Sequence, residues 1–260
     1  MTEEFMRRAL VVTAVVGLSA SSVFAQDWAQ AKLDKSPRHR EFVDIKAGNR
    51  TLHAFVVYPE VSHKATTVLV IHEIFGLSDW AKLAADEFAA AGYIAIAPDF
   101  LSGGNNTGEA IRAVSRLPEK QVMGDLDAAF KYAKTVPAAN GKIVVAGFCW
   151  GGGHAFSYAA RRPGLSAAFV FYGRSLGQEG IAQLQCPVYG FYAQNDARIT
   201  ATVDQAKKMA ENAGKKFETM VYPGAGHGFM RAGEQPNPLP PNAKARNEAW
   251  QRMKELLPKV

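Results

Sequence analysis

An α/β fold with a mainly parallel sheet, helices on both faces and an antiparallel hairpin at its start is predicted by three features of the chain. Short apolar runs rich in β-branched residues recur through the sequence, helical stretches separate them, and an alternating hairpin pattern precedes them all. Near-continuous apolar strands are strands buried on both faces, which a helix-covered parallel sheet requires.

The elements follow in order. EFVDIK from residue 41 and TLHAFVVY from residue 51 flank the turn Ala47-Gly48-Asn49-Arg50 and predict the hairpin. TTVLVIH is the first parallel strand, a helix follows over 79–91, and YIAIAPD is the next strand. A helix over 119–135, strand KIVVAGF and a helix over 151–161 continue the alternation. Strands AAFVFYG and PVYGFYA, a helix over 202–213, strand KFETMVY and a helix over 243–257 complete it. Ligands of such sheets bind beyond the carboxyl ends of the strands, so residues there are the candidates for chemistry.

The ends of the chain and its composition narrow the function. Arg7 and Arg8, the apolar run Ala9 to Leu18 and the small residues before Gln26 have the order of a secretory signal cleaved after Ala25. Residues 1–25 are thus expected to be removed, and the protein to be exported to the periplasm or secreted. That apolar run is about half of what a membrane span needs, so no stable membrane anchor is expected. Residues 26–40 are polar and aperiodic and predict an arm or linker without core, leaving 41–260 as one domain. The net charge of +6 is scattered in pairs such as Arg161-Arg162 and Lys207-Lys208, without an aromatic platform, so no nucleic acid is expected. Two cysteines exclude a disulfide framework, and none of the six histidines has metal-ligand spacing. No metal or cofactor is expected, and the protein is read as a monomer.

The informative stretch is Val145-Ala146-Gly147-Phe148-Cys149-Trp150-Gly151-Gly152-Gly153. It joins a strand to a helix and has the GxCxG form of a nucleophile elbow, with cysteine where serine is commoner. A helix beginning at Trp150 would aim its positive end at Cys149 and lower the thiol pKa. Asp196 follows strand PVYGFYA and His227 follows strand KFETMVY, the positions an α/β-hydrolase fold needs for its acid and base. The loop after the first parallel strand holds Glu73 and Ile74. The backbone N–H groups of Ile74 and Trp150 are therefore the expected oxyanion hole. Phe75 and Tyr172 are candidate pocket residues, and Arg174 a candidate cation. Cys186 precedes Pro187 at the start of a strand whereas Cys149 ends another, so no bond between them is expected. A non-catalytic binding homologue and a thiol redox protein are the competing classes. The complete Cys-Asp-His set argues against the first, and the lack of CxxC against the second.

HEIFG at 72–76, PDF at 98–100, GFCWGG, Asp196 and AGHGFMR at 225–231 together resemble the dienelactone hydrolase family. The resemblance implies a hydrolase of a small lactone or activated ester, with Cys149, Asp196 and His227 as triad. It implies that Glu73 contacts the thiol and helps ionise it when substrate arrives, and that Arg231 binds a substrate carboxylate. The family's second arginine and its serine have no counterparts, since Phe100-Leu101-Ser102 follows Asp99 and Gly228 follows His227. That departure argues against dienelactone itself.

Overall fold

The computed structural model describes residues 26–102 and 108–260, so the export signal read at 1–25 lies outside the described residues. Eight strands form one sheet in the order β1-β2-β4-β3-β5-β6-β7-β8. They are β1 (Arg40–Ala47), β2 (Arg50–Val57), β3 (Ala65–Ile71), β4 (Ile94–Pro98), β5 (Ala139–Phe148), β6 (Ala167–Phe171), β7 (Val188–Asn195) and β8 (Phe217–Gly226). The β1–β2 hairpin is antiparallel, with Ala47 opposite Arg50 at the Gly-Asn turn. β2 joins the edge of β4 antiparallel, and every pairing from β4 to β8 is parallel.

Alternation along the central strands divides the core in two. Leu69, Ile71 and Val145 face one side of the sheet, against Val122, Leu126 and Phe130 of α4 (Glu119–Ala133) and Ala155 and Phe156 of α5 (Trp150–Arg161). Val68, Val70, Val144 and Ala146 face the other side. There they meet Trp80, Ala84 and Phe88 of α2 (Asp79–Ala90) and Ala249, Trp250 and Met253 of α10 (Pro240–Leu256). Both faces are covered, so the strands carry no polar stripe. Ser78 begins α2 by accepting a hydrogen bond from the Ala81 N–H, and prolines occupy the first turn of α10.

The sheet order places the site. The chain leaves β3 for β4 on one side and returns to β5 on the other, so the loops after β3 and β5 diverge at a topological switch point. Ile71 pairs in register with Gly147, which brings the ends of those two strands level.

The stretch 26–40 is not the free arm expected. Asp27–Leu33 form α1, whose buried Ala29 and Leu33 pack against α2. The Trp80 N–H donates to Gln26 Oε1 at 2.7 Å, and Lys32 pairs with Glu234 at 3.0 Å. Two apolar anchors in seven residues are too few to raise a periodic signal, and the docking is supplied by a groove the sequence does not display. The short helices α3 (Gly108–Ser115), α6 (Gln178–Ala182), α7 (Ala197–Thr200) and α9 (Phe229–Ala232) escape the periodicity for the same reason, while α8 (Val203–Asn212) is found as expected. Leu33→Ala removes a side chain that is 2% exposed. It should therefore cost about 2–3 kcal/mol in urea unfolding. An unchanged midpoint would mean that α1 adds nothing to the fold.

Candidate active site

Cys149 sits between β5 and α5 with φ +56°, a region a non-glycine residue rarely adopts. Two glycines make the turn possible. A Cβ at Gly147 would lie 2.1 Å from the carbonyl oxygen of Gly151, and one at Gly151 would lie 2.4 Å from that of Ile71. Backbone meets backbone on both sides of the cysteine, which holds the thiol up beyond the sheet.

Asp196 and His227 arrive from the next strands. Asn195 pairs with Gly226 across β7 and β8, so the residues after each stand side by side. His227 Nδ1 lies 2.5 Å from Asp196 Oδ2, and its Nε2 lies 3.1 Å from Cys149 Sγ. Because a carboxylate only accepts, Nδ1 carries the proton and Nε2 turns its lone pair to the thiol. Asp196 is buried and His227 is partly open to the cavity.

The backbone N–H groups of Trp150 and Ile74, the two donors expected from the sequence, both act on the thiol of Cys149 and favour its ionised form. The thiol pKa nevertheless rises, to about 11, first because burial disfavours the thiolate and second because the charge of Glu73 is near. The two amides and Arg198 act in the opposite direction and are outweighed. The lowering expected from the helix end is therefore overturned.

Glu73 is 3% exposed and is held by other partners than the thiol. Arg231 Nε donates to its Oε2 at 2.7 Å, and the Tyr172 hydroxyl donates to its Oε1 at 3.3 Å. Burial and then the Glu73 charge hold the Tyr172 phenol well above its usual pKa, so it stays a donor. Arg231, expected to bind substrate, is thus occupied by Glu73, and its guanidinium lies over the Phe75 ring at 4.8 Å. Phe75 is correspondingly absent from the cavity wall and underlies the ion pair instead.

The cavity over the thiol has a volume of about 600 Å³ and is lined by Ile74, Cys149, Trp150, His154, Tyr172, Arg174, Arg198 and His227, among others. Tyr172 and Arg174 are therefore where the sequence placed them. Arg198, two residues beyond Asp196 at the start of α7, was missed, and its only signal was that proximity. His154 stands on the wall as a neutral imidazole, its pKa lowered to about 4 by burial. Both cysteines are free, with Cys186 buried before β7. Among the described residues no group of three or more His, Cys, Asp or Glu side chains could hold a metal ion, and no helix is long and apolar enough to cross a membrane.

Residues 52–260 match the model of the dienelactone hydrolase family. The chain belongs to the dienelactone hydrolase family. A relative in Methylorubrum extorquens, named "Putative carboxymethylenebutenolidase", is 34% identical over 232 residues, covering 82% of this chain and 78% of its own. The protein of the same name in Escherichia coli K12 is 30% identical over 233 residues, covering 82% and 84%. The solved "Putative Dienelactone Hydrolase" of Klebsiella pneumoniae superposes with a TM-score of 0.74 at 28% identity, covering 83% of this chain and 96% of that one. This dienelactone hydrolase family member is a carboxylic ester hydrolase with the α/β-hydrolase fold.

The charge balance around the thiol has a direct consequence. Glu73→Gln removes the nearest negative charge and releases Arg231, and both changes favour the thiolate. Alkylation of Cys149 by iodoacetamide at pH 7 should accelerate by about tenfold. An unchanged rate would leave burial as the sole cause of the raised pKa.

Proposed function

We propose that this protein cleaves a lactone or an activated carboxylic ester through a thioester on Cys149. The observation that carries the reading is the aligned chain Cys149 Sγ, His227 and Asp196 at a cavity that Ile74 and Trp150 also line. Sγ attacks the acyl carbon as His227 Nε2 takes the thiol proton, and the imidazolium formed is held by Asp196. The carbonyl oxygen becomes negative and is received by the N–H groups of Ile74 and Trp150. The imidazolium then protonates the leaving oxygen. Water, deprotonated by His227, opens the thioester and frees the acid.

With the thiol pKa near 11, the empty site holds the protonated form at neutral pH. This protects an exported thiol from oxidation and leaves ionisation to the attack itself. Burial, and then the charge of Glu73 braced by Arg231 and Tyr172, keeps the resting thiol protonated. A thiolate is a better leaving group than an alkoxide, so productive collapse needs a stabilised leaving oxygen. Enols and phenols fit, and amides do not. Arg174 and Arg198 on the wall would supply positive charge to the acyl or alcohol part of the substrate, while Tyr172 stays committed to Glu73. Export follows from the signal-like residues 1–25, and the mature chain would then begin at Gln26, beside the start of α1.

The test is hydrolysis of p-nitrophenyl acetate and of enol lactones by wild type, Cys149→Ala and Cys149→Ser. Turnover should vanish in the alanine variant with native circular dichroism. It should fall by at least about a hundredfold in the serine variant, because a hydroxyl ionises far less readily than a thiol and the 3.1 Å spacing to His227 Nε2 is set for sulfur. Turnover by Cys149→Ala at the wild-type rate would sink the proposal.

A further inference from the structure

His72 follows β3, stacks on the cavity residue Trp150 and is 1% exposed. Its Nδ1 lies 2.7 Å from the carbonyl oxygen of Glu73. A carbonyl only accepts, so Nδ1 bears the proton. Burial lowers the pKa of the ring, which is therefore neutral, and its buried Nε2 has no partner. An unsatisfied buried nitrogen is a cost to the fold, so the hydrogen bond made by Nδ1 is the one polar interaction that fixes the ring.

The acceptor of that hydrogen bond belongs to the same peptide unit as the Ile74 N–H. The unit is planar and trans, so the Glu73 oxygen and the Ile74 hydrogen point in opposite directions. Fixing one aims the other. The same oxygen accepts from Gly76 N at 3.2 Å, where φ of +76° closes the turn. The imidazole also stacks on the Trp150 ring at 5.5 Å and 15°, with the edge of Phe100 at 5.3 Å on another side. Trp150 carries the second N–H that reaches the thiol. One side chain thus touches both the peptide unit that carries the Ile74 N–H and the ring of Trp150.

We infer that His72 is a positioning residue of the oxyanion hole, aiming the Ile74 N–H through the Glu73 carbonyl and bracing Trp150 by stacking. The inference rests on the cysteine-hydrolase reading above. Its effect is confined to the step in which negative charge reaches the carbonyl oxygen, since substrate in the ground state places no such charge there.

Burst kinetics with p-nitrophenyl acetate separate the acylation rate from the binding constant. His72→Leu keeps an apolar filler but loses the donor, so acylation should slow by about tenfold or more while the binding constant stays within about twofold. His72→Asn places an amide N–H near the position of Nδ1 and should restore the acylation rate to within about threefold of wild type. Acylation at the wild-type rate by a folded leucine variant would overturn the inference, as would an asparagine variant no better than leucine. Should the leucine variant fail to fold, the asparagine variant decides: near-wild-type acylation supports the role, and a tenfold loss at native stability removes it. Cys149→Ala in the same assay keeps the two claims apart. A burst there defeats the cysteine reading, whereas no burst there with a normal His72→Leu defeats this inference alone.

Discussion

The close approach of backbone to backbone at the elbow is the constraint on which the site depends. Cys149 can hold φ +56° because Gly147 and Gly151 let the turn close against itself and against the end of β3. Gly152 extends the contact to β6, where an added Cβ would lie 2.7 Å from the Phe171 oxygen. The turn is therefore clamped between its two neighbouring strands. A strained residue persists only where its surroundings over-determine it, and three glycine contacts with main chain do so here. The result is a thiol fixed relative to the loop after β3, with little side-chain freedom left to lose during reaction.

That rigidity brings an electrostatic problem. The proposed reaction would need negative charge on sulfur and then on oxygen, yet a buried carboxylate acts on the thiol. The structure handles Glu73 by pairing it with Arg231 and the Tyr172 hydroxyl, one donor to each oxygen. Tyr172 itself has φ +40° at the end of β6 and meets the His227 ring edge-on at 5.1 Å. The bracing of the carboxylate and the placing of the imidazole thus share one strained residue. The amides of Ile74 and Trp150 act on the thiol in the opposite sense to the carboxylate.

Periodicity and turn chemistry made most of the fold legible. Each of the eight strands and each of α2, α4, α5, α8 and α10 carries its own apolar pattern, and that pattern does not depend on distant residues. The Cys149, Asp196 and His227 set was equally legible, because a parallel sheet brings the residues after its strands to one edge. The partners of Glu73, the occupation of Arg231 and the entry of Arg198 into the cavity were not. They are contacts between residues up to 158 positions apart, set by which rotamer and loop path the packing allows. Misreading 26–40 as a free arm has the same origin, for α1 is held by a groove between other elements.

By itself the sequence determined the architecture, the strand-to-helix elbow that carries Cys149, and the placing of Asp196 and His227 after successive strands. These follow from local rules of strand, turn and glycine. Only the tertiary structure decided the ionisation of Cys149. The expected pull of a helix end lost to burial and to Glu73, and the thiol pKa rose to about 11. A helix end can be read from a run of residues in line. Desolvation and the distance to a carboxylate 76 positions earlier depend on how the folded chain surrounds one atom, and no local pattern encodes that.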